Sequence, residues 1–198
     1  MIDHTAITRR AGLRLTPRRV RWALLGGSVA ALLGMAAATE AATSASASIC
    51  NNVSAASVSA IVGYKLPAAT QSVTKLPASK TNYETASVDT GCTYGADKSL
   101  ADLAKTVTLD VSVASKPFTE AEIVASVKKA EELSHGDFKM VSYSGLGVPA
   151  YYLTVTEAGL HVEVLSGITS STHSFGAAVD STLPVAKLAE LAKLAEKL

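Results

Sequence analysis

A hydroxyl, an imidazole and a carboxylate lie near one another in the C-terminal part of the chain. Ser170, Ser171 and Ser174 surround His173, and Asp180 follows. In a serine hydrolase the imidazole takes the hydroxyl proton, the carboxylate orients the imidazole and backbone N–H groups hold the oxyanion. The sequence contains no G-x-S-x-G elbow to present such a serine. Serine is abundant throughout, so the set reads as coincidence. An exported hydrolase built on His173 and Asp180 is kept as the alternative reading.

Other chemistry-bearing residues are sparser. His135 and His161 each stand alone, and a lone surface histidine is usually solvated. Glu120/Glu122 and Glu131/Glu132 are paired, but a helix cap and a wet helix face account for them. There is no calcium loop, Walker loop or dinucleotide fingerprint. Neither a metal nor a cofactor is expected. Gly145-Leu146-Gly147 lacks a third glycine and a following helix, so it reads as a turn. Around that turn stand Tyr143, Tyr151 and Tyr152. With Gly145 and Gly147 these tyrosines form the candidate binding surface, because tyrosine combines apolar area with a polar tip. The plainer reading is aromatics closing the core.

Cys50 and Cys92 are the only thiols. They are not in a C-x-x-C pattern, and two soft ligands are too few for structural zinc. A single structural disulfide is expected instead. Closing a loop of that length removes about 4 kcal/mol of denatured-chain freedom. The stretch between them, Tyr64 to Thr90, is rich in Ser, Thr, Ala and Pro and shows little apolar periodicity. It reads as a segment that needs the clamp.

The elements that must position these residues follow from periodicity. Ser54 caps a short helix carrying Val58, Ile61 and Val62 and ending at Gly63. In Thr106 to Ala114, Val107, Leu109, Val111 and Val113 alternate with Thr106, Thr108, Asp110 and Ser112, which predicts a strand with one buried and one wet face. Thr119 and Glu122 form a capping box, with Phe118 stapled to Ile123, for a helix carrying Val127 and Ala130. Strands are predicted at Phe138–Tyr143, Ala150–Thr156 and Leu160–Ser166, with a weaker one through Ser170–Phe175. A last helix begins at Pro184 and carries Val185, Leu188, Leu191, Ala192, Ala195 and Leu198. Helices and strands do not alternate as in a parallel fold. The expectation is α+β: an antiparallel sheet of about four to five strands, helices packed on one face, one disulfide.

The N-terminal region has a different character. All six arginines lie between Arg9 and Arg21, and Trp22 to Ala38 carries no charge. Basic, apolar and small segments in that order predict an export signal over 1–38. A flexible linker over 39–49 and one extracytoplasmic domain over 50–198 follow. Cleavage is the first reading, and a retained anchor through 22–38 the other. Arg9-Arg10 resembles a twin-arginine signal, but Gly12 stands where a bulky apolar residue is usual. Ile49 before Cys50 argues against lipid attachment.

From Ile49 onward twelve lysines face fifteen carboxylates and there is no arginine. A mildly acidic domain without arginine lacks the basic stripe of a nucleic-acid binder. Nucleic acid is therefore excluded as a partner.

The layout resembles small exported actinobacterial cell-envelope proteins, often lipoproteins, grouped as a domain of unknown function. The matching features are Cys50 before a helix ending Ile61-Val62-Gly63, then Cys92-Thr93-Tyr94 and a strand of alternating valines. A G-L-G-x-x-A-Y element from Gly145 to Tyr151, a strand led by Gly-Leu and a terminal Ala/Leu/Lys helix complete the set. The missing lipid signal is a departure. The resemblance implies an envelope location and no defined chemistry. The function expected is thus a secreted or extracytoplasmic, non-catalytic binding or accessory module. Its partner would be an envelope protein or small ligand, with membrane contact only through an uncleaved N-terminal segment.

Overall fold

The computed structural model describes residues 48–78, 86–95, 105–117, 119, 121–122, 125, 138–157, 160–180 and 182–198. The leader, most of the linker and most of the helix expected around Val127, with Glu120, Glu131, Glu132 and His135, lie outside the described residues. Among the described residues no helix is long and apolar enough to cross a membrane.

Seven strands form one sheet: β1 (Thr70–Leu76), β2 (Ser87–Tyr94), β3 (Val107–Ala114), β4 (Phe138–Tyr143), β5 (Ala150–Glu157), β6 (Leu160–Ser170) and β7 (His173–Val179). Their order across the sheet is β1-β2-β3-β7-β6-β5-β4, and every neighbouring pair is antiparallel. The chain lays down β1 to β3 as one meander. It then crosses to the far edge and returns through β4, β5 and β6 to place β7 beside β3. The expected antiparallel α+β architecture is present, but with seven strands rather than four to five.

The two extra strands are β1 and β2; β1 and the first half of β2 lie in the segment, Tyr64 to Thr90, read as having little apolar periodicity. β1 (TQSVTKL) is an edge strand with exposed and half-buried side chains apart from the buried Thr74. β2 (SVDTGCTY) has buried residues on both faces, with Val88 exposed. Neither shows the alternation of apolar and polar residues that marks a half-buried strand.

Two helices, α1 (Ala55–Val62) and α2 (Val185–Ala195), pack on one face of the sheet. The Ser54 hydroxyl accepts the Ser57 N–H, and Gly63 closes α1 at φ 84°, as their residue types predicted. Val58 and Val62 of α1, and Leu188, Leu191, Ala192 and Ala195 of α2, meet Cys92, Tyr94, Val107, Leu109, Leu165, Ala177 and Val179 of the sheet. Before α1 lies a 3-10 turn, Ile49–Asn52. Its Cys50 is bonded to Cys92, and the Tyr94 hydroxyl donates to the Val53 carbonyl at 2.8 Å. Two links thus pin the first turn to β2.

The opposite face of the sheet is also covered. Toward β4 it is apolar, with Phe138, Tyr151, Leu153, Val155, Val164 and Ala178 buried together. Toward β2 and β3 it is polar. Thr106, Thr108, Asp110 and Ser112, expected to face water, are 2–8% exposed. Alternation identified which β3 residues share a face; it could not tell whether that face is covered.

Candidate functional site

The β4–β5 corner holds the residues singled out as a binding surface. Register pairs Val141 with Tyr152 and Tyr143 with Ala150, so Val141, Tyr143 and Tyr152 share the helix-side face. Tyr151, one residue on, points the other way and is buried with Phe138 and Leu153. The three tyrosines therefore do not form one surface. Tyr143 and Tyr152 are half-buried against the helix-side core, together with Leu146 and Val148 of the corner.

Gly145 and Gly147 serve the corner differently. A Cβ on Gly145 would lie 2.3 Å from the Tyr143 hydroxyl, so the ring rests on this residue. Gly147 adopts φ 78°, a left-handed turn. Val141 is 58% exposed on the edge strand. The sheet extends beyond its helices here, leaving a ledge of Val141, Tyr143 and Tyr152.

His161, opposite Thr156 and two residues before Glu163 on β6, is not alone. Its Nε2 lies 3.4 Å from Glu163 Oε1, and its Nδ1 lies 3.2 Å from Thr156 Oγ1. Glu163 is buried and also accepts the Leu183 backbone N–H at 3.0 Å through its other oxygen. Desolvation first, then the neighbouring Glu163 carboxylate, pushes the Tyr152 phenol up to about 12. Glu163 thus ties the approach to α2 onto the sheet.

The residues of the hydrolase alternative do not converge. His173 opens β7 and Asp180 follows its last residue, about 23 Å away at strand rise. Instead His173 Nδ1 sits 2.9 Å from Thr172 Oγ1 and 3.1 Å from Ser170 Oγ, all on the exposed β6–β7 turn.

The least expected chemistry lies on the far face. Two neighbouring rows cross the sheet there: Thr74, Asp89, Ser112 and Ser174, then Ser72, Gly91, Asp110, Gly176 and Ser166. Asp89 and Asp110 are diagonal neighbours on adjacent strands, with Cα atoms about 7–8 Å apart. They are 8% and 5% exposed. Ser112 donates to Asp89 Oδ1 at 2.5 Å. Asp110 Oδ1 and the Ser87 hydroxyl are buried without any hydrogen-bond partner.

Burial, then repulsion from Asp89, holds the Asp110 carboxyl well above the usual carboxylate range. Burial also raises Asp89. Ser112 opposes that shift, as does the nearby Ser87 hydroxyl, although the latter lacks true hydrogen-bond geometry. Sequence reasoning missed this pair because its members are on different strands, one of them unrecognised, and because the covered face was read as wet. Among the described residues no group of three or more His, Cys, Asp and Glu side chains is placed to hold a metal.

No family model matches this sequence, and comparison with curated proteins and with solved structures finds no match.

Proposed function

We propose that the chain is an exported cell-envelope protein whose domain is a non-catalytic binding or accessory module, with the β4–β5 ledge as its contact surface. The observation that carries the location is the Cys50–Cys92 disulfide, 5% and 0% exposed and built into the helix-side core. Disulfides of this structural kind persist in oxidising compartments. The arginine-rich leader and the apolar run from Trp22 to Ala38 supply a route there. Binding rather than catalysis is favoured because, among the described residues, neither His173 nor His161 is joined to both a nucleophile and an oxyanion hole.

The ledge suits a partner that covers an open surface. Val141 stands out from an edge strand, and Tyr143 and Tyr152 present rigid aromatic area beside it. Edge strands are ready templates for added chains, and tyrosine is enriched in interface cores. A protein partner of the envelope fits this surface better than a small ligand.

A photo-crosslinking amino acid placed at Val141, with a control at the exposed Lys193 of α2, tests both parts in the native host. The expected result is a discrete crosslinked species from position 141, found only in the extracytoplasmic fraction and absent from position 193. A soluble cytosolic chain with reduced thiols would end the location. Identical crosslinking from both positions would end the ledge.

A further inference from the structure

The two edges of the sheet are not alike. β1 carries mostly polar side chains, and the Ser48 hydroxyl donates to Gln71 Oε1 at 2.6 Å, which fastens the start of the domain beside it. Among the described strands β4 pairs with β5 alone. Of the exposed large apolar residues Val88, Val113 and Val141, only Val141 stands on an edge strand. Such an edge leaves a row of backbone N–H and C=O groups for another chain to take up.

The side chains of β4 form a spaced pattern. Lys139, Val141 and Tyr143 alternate along its helix-side face, about 6.8 Å apart at each two-residue step. Lys139 and Val141 are exposed, and the half-buried Tyr143 ring rests on Gly145. A strand laid beside β4 therefore sets one side chain against an ammonium, the next on that face against a valine and the third against a tyrosine ring.

Charge selects among the chains that could use this edge. Lys139 is the only charged residue of β4 (FKMVSY), and no carboxylate of the described residues forms an ion pair with it. Register runs from Lys139 through Thr154 to Glu163, but Glu163 is buried and engaged by His161 and the Leu183 N–H. A lysine on an edge strand turns away strands that cannot match its charge. An apolar strand would desolvate the ammonium without return, whereas an acidic one supplies its counter-charge. A second copy of this chain cannot supply it through β4, which has no carboxylate. Fifteen carboxylates against twelve lysines from Ile49 onward also make two copies repel.

We infer that β4 takes up an extended acidic segment of a partner protein by strand addition, with an Asp or Glu opposite Lys139 and an apolar residue two positions away opposite Val141. This rests on the β4–β5 ledge being the contact surface, and it adds the chemistry of the chain received there. The spacing of two holds whichever way the segment runs, because same-face residues alternate in either direction. Main-chain hydrogen bonds supply the affinity and the alternate side chains the specificity. An exposed ion pair contributes selectivity more than strength.

Crosslinking in the native host tests this, with the full chain carrying a photoreactive residue at Val141 or at Tyr143 and the captured peptides sequenced by mass spectrometry. Both probes are expected to mark one partner segment, at residues two apart. An Asp or Glu is expected two positions from the residue marked by position 141, on the side away from the one marked by position 143. Lys139→Glu is expected to lower the yield from position 141 about tenfold. Lys139→Arg is expected to preserve it, with the urea midpoints of both variants at the wild-type value. Absence of any crosslink from position 141 would sink the ledge, and the acidic strand with it. Four results would keep the ledge and overturn the acidic strand alone: probes that mark separate segments, a second copy of this chain as the captured species, a segment without a carboxylate at that spacing, or a yield that Lys139→Glu leaves unmoved.

Discussion

The two faces of the sheet solve burial in opposite ways. On the helix side the side chains that meet are apolar, and the polar atoms present are matched: the Tyr94 hydroxyl has the Val53 carbonyl, and Glu163 has Leu183 and His161. On the far side, on β2 and β3, the Ser87 hydroxyl and one oxygen of the Asp110 carboxylate are buried without a partner. Burial of an uncompensated charge opposes folding, so a sequence selected for stability alone would place threonine or valine at these positions. Local choices that conflict with the global fold mark function more often than accident. The helix-side face holds the domain together, and the far face spends part of that stability.

The largest expected effect is on the stabilising face. Replacing both cysteines, Cys50→Ser with Cys92→Ser, releases a loop with sequence separation 42 and is expected to cost about 4 kcal/mol. Since domains of this size are stable by roughly 5–15 kcal/mol, urea unfolding should show a much lower midpoint. A midpoint within experimental error of the wild type would mean that the Tyr94–Val53 link and the α1–α2 packing suffice to hold the first turn.

The intermediate effect has the opposite sign and belongs to the far face. Asp110 has a folded-state pKa raised by burial and by Asp89. Its protonated form is therefore favoured by folding. The stability tied to that proton is fully present below the ordinary aspartate pKa near 3.8 and is lost as pH rises through the raised folded value. The wild type should gain stability on acidification from neutral pH toward about pH 4, with Asp89 contributing in the same direction. Asp110→Asn should flatten this profile and raise stability at neutral pH, because it removes the charge that burial and Asp89 disfavour. Denaturant midpoints across the pH range check this. A wild-type profile that falls steadily with acidification would place the carboxylate in water after all.

What was legible in the sequence divides along the same line. α1, α2 and β3 were readable because each carries a periodic apolar stripe with a cap or a proline at its end, and those stripes are what the helix-side core buries. The Thr119/Glu122 capping box was also readable. Glu122 accepts the Thr119 N–H and hydroxyl at 2.7 and 2.9 Å, and these bonds hold its carboxyl below the usual range. β1 and β2 were not readable, because an edge strand with one wet side and a strand with buried residues on both sides escape the alternation test in opposite ways. The carboxylate pair depends on pairing between those strands. Asp89 meets Asp110 only if Asp89 opposes Ser112, and a strand register of that kind is a tertiary fact. Likewise, the nearness of Tyr151 and Tyr152 in sequence suggested one surface, whereas adjacent residues of a strand point to opposite faces.

The smallest expected effect tests whether the ledge is an ordered surface or merely a rim. Gly145 lies directly beneath the Tyr143 ring, with the hydroxyl, Cζ and Cε1 atoms 2.3–2.6 Å from where a Cβ would stand. Gly145→Ala must therefore displace the ring. The obstructing atoms are the far end of a half-buried side chain on an edge strand, so the ring can swing outward without moving backbone. Lower freedom in the unfolded chain favours alanine by about 0.4–1 kcal/mol, and the lost ring contacts oppose it by a similar amount. The net change in stability is expected to stay within about 0.5 kcal/mol, while the near-ultraviolet circular dichroism of tyrosine changes and crosslinking from position 141 weakens. Loss of several kcal/mol would instead show that Tyr143 is part of the core that α2 covers. The overhang would then be a structural margin of the sheet, and the contact surface would have to be sought elsewhere on the domain.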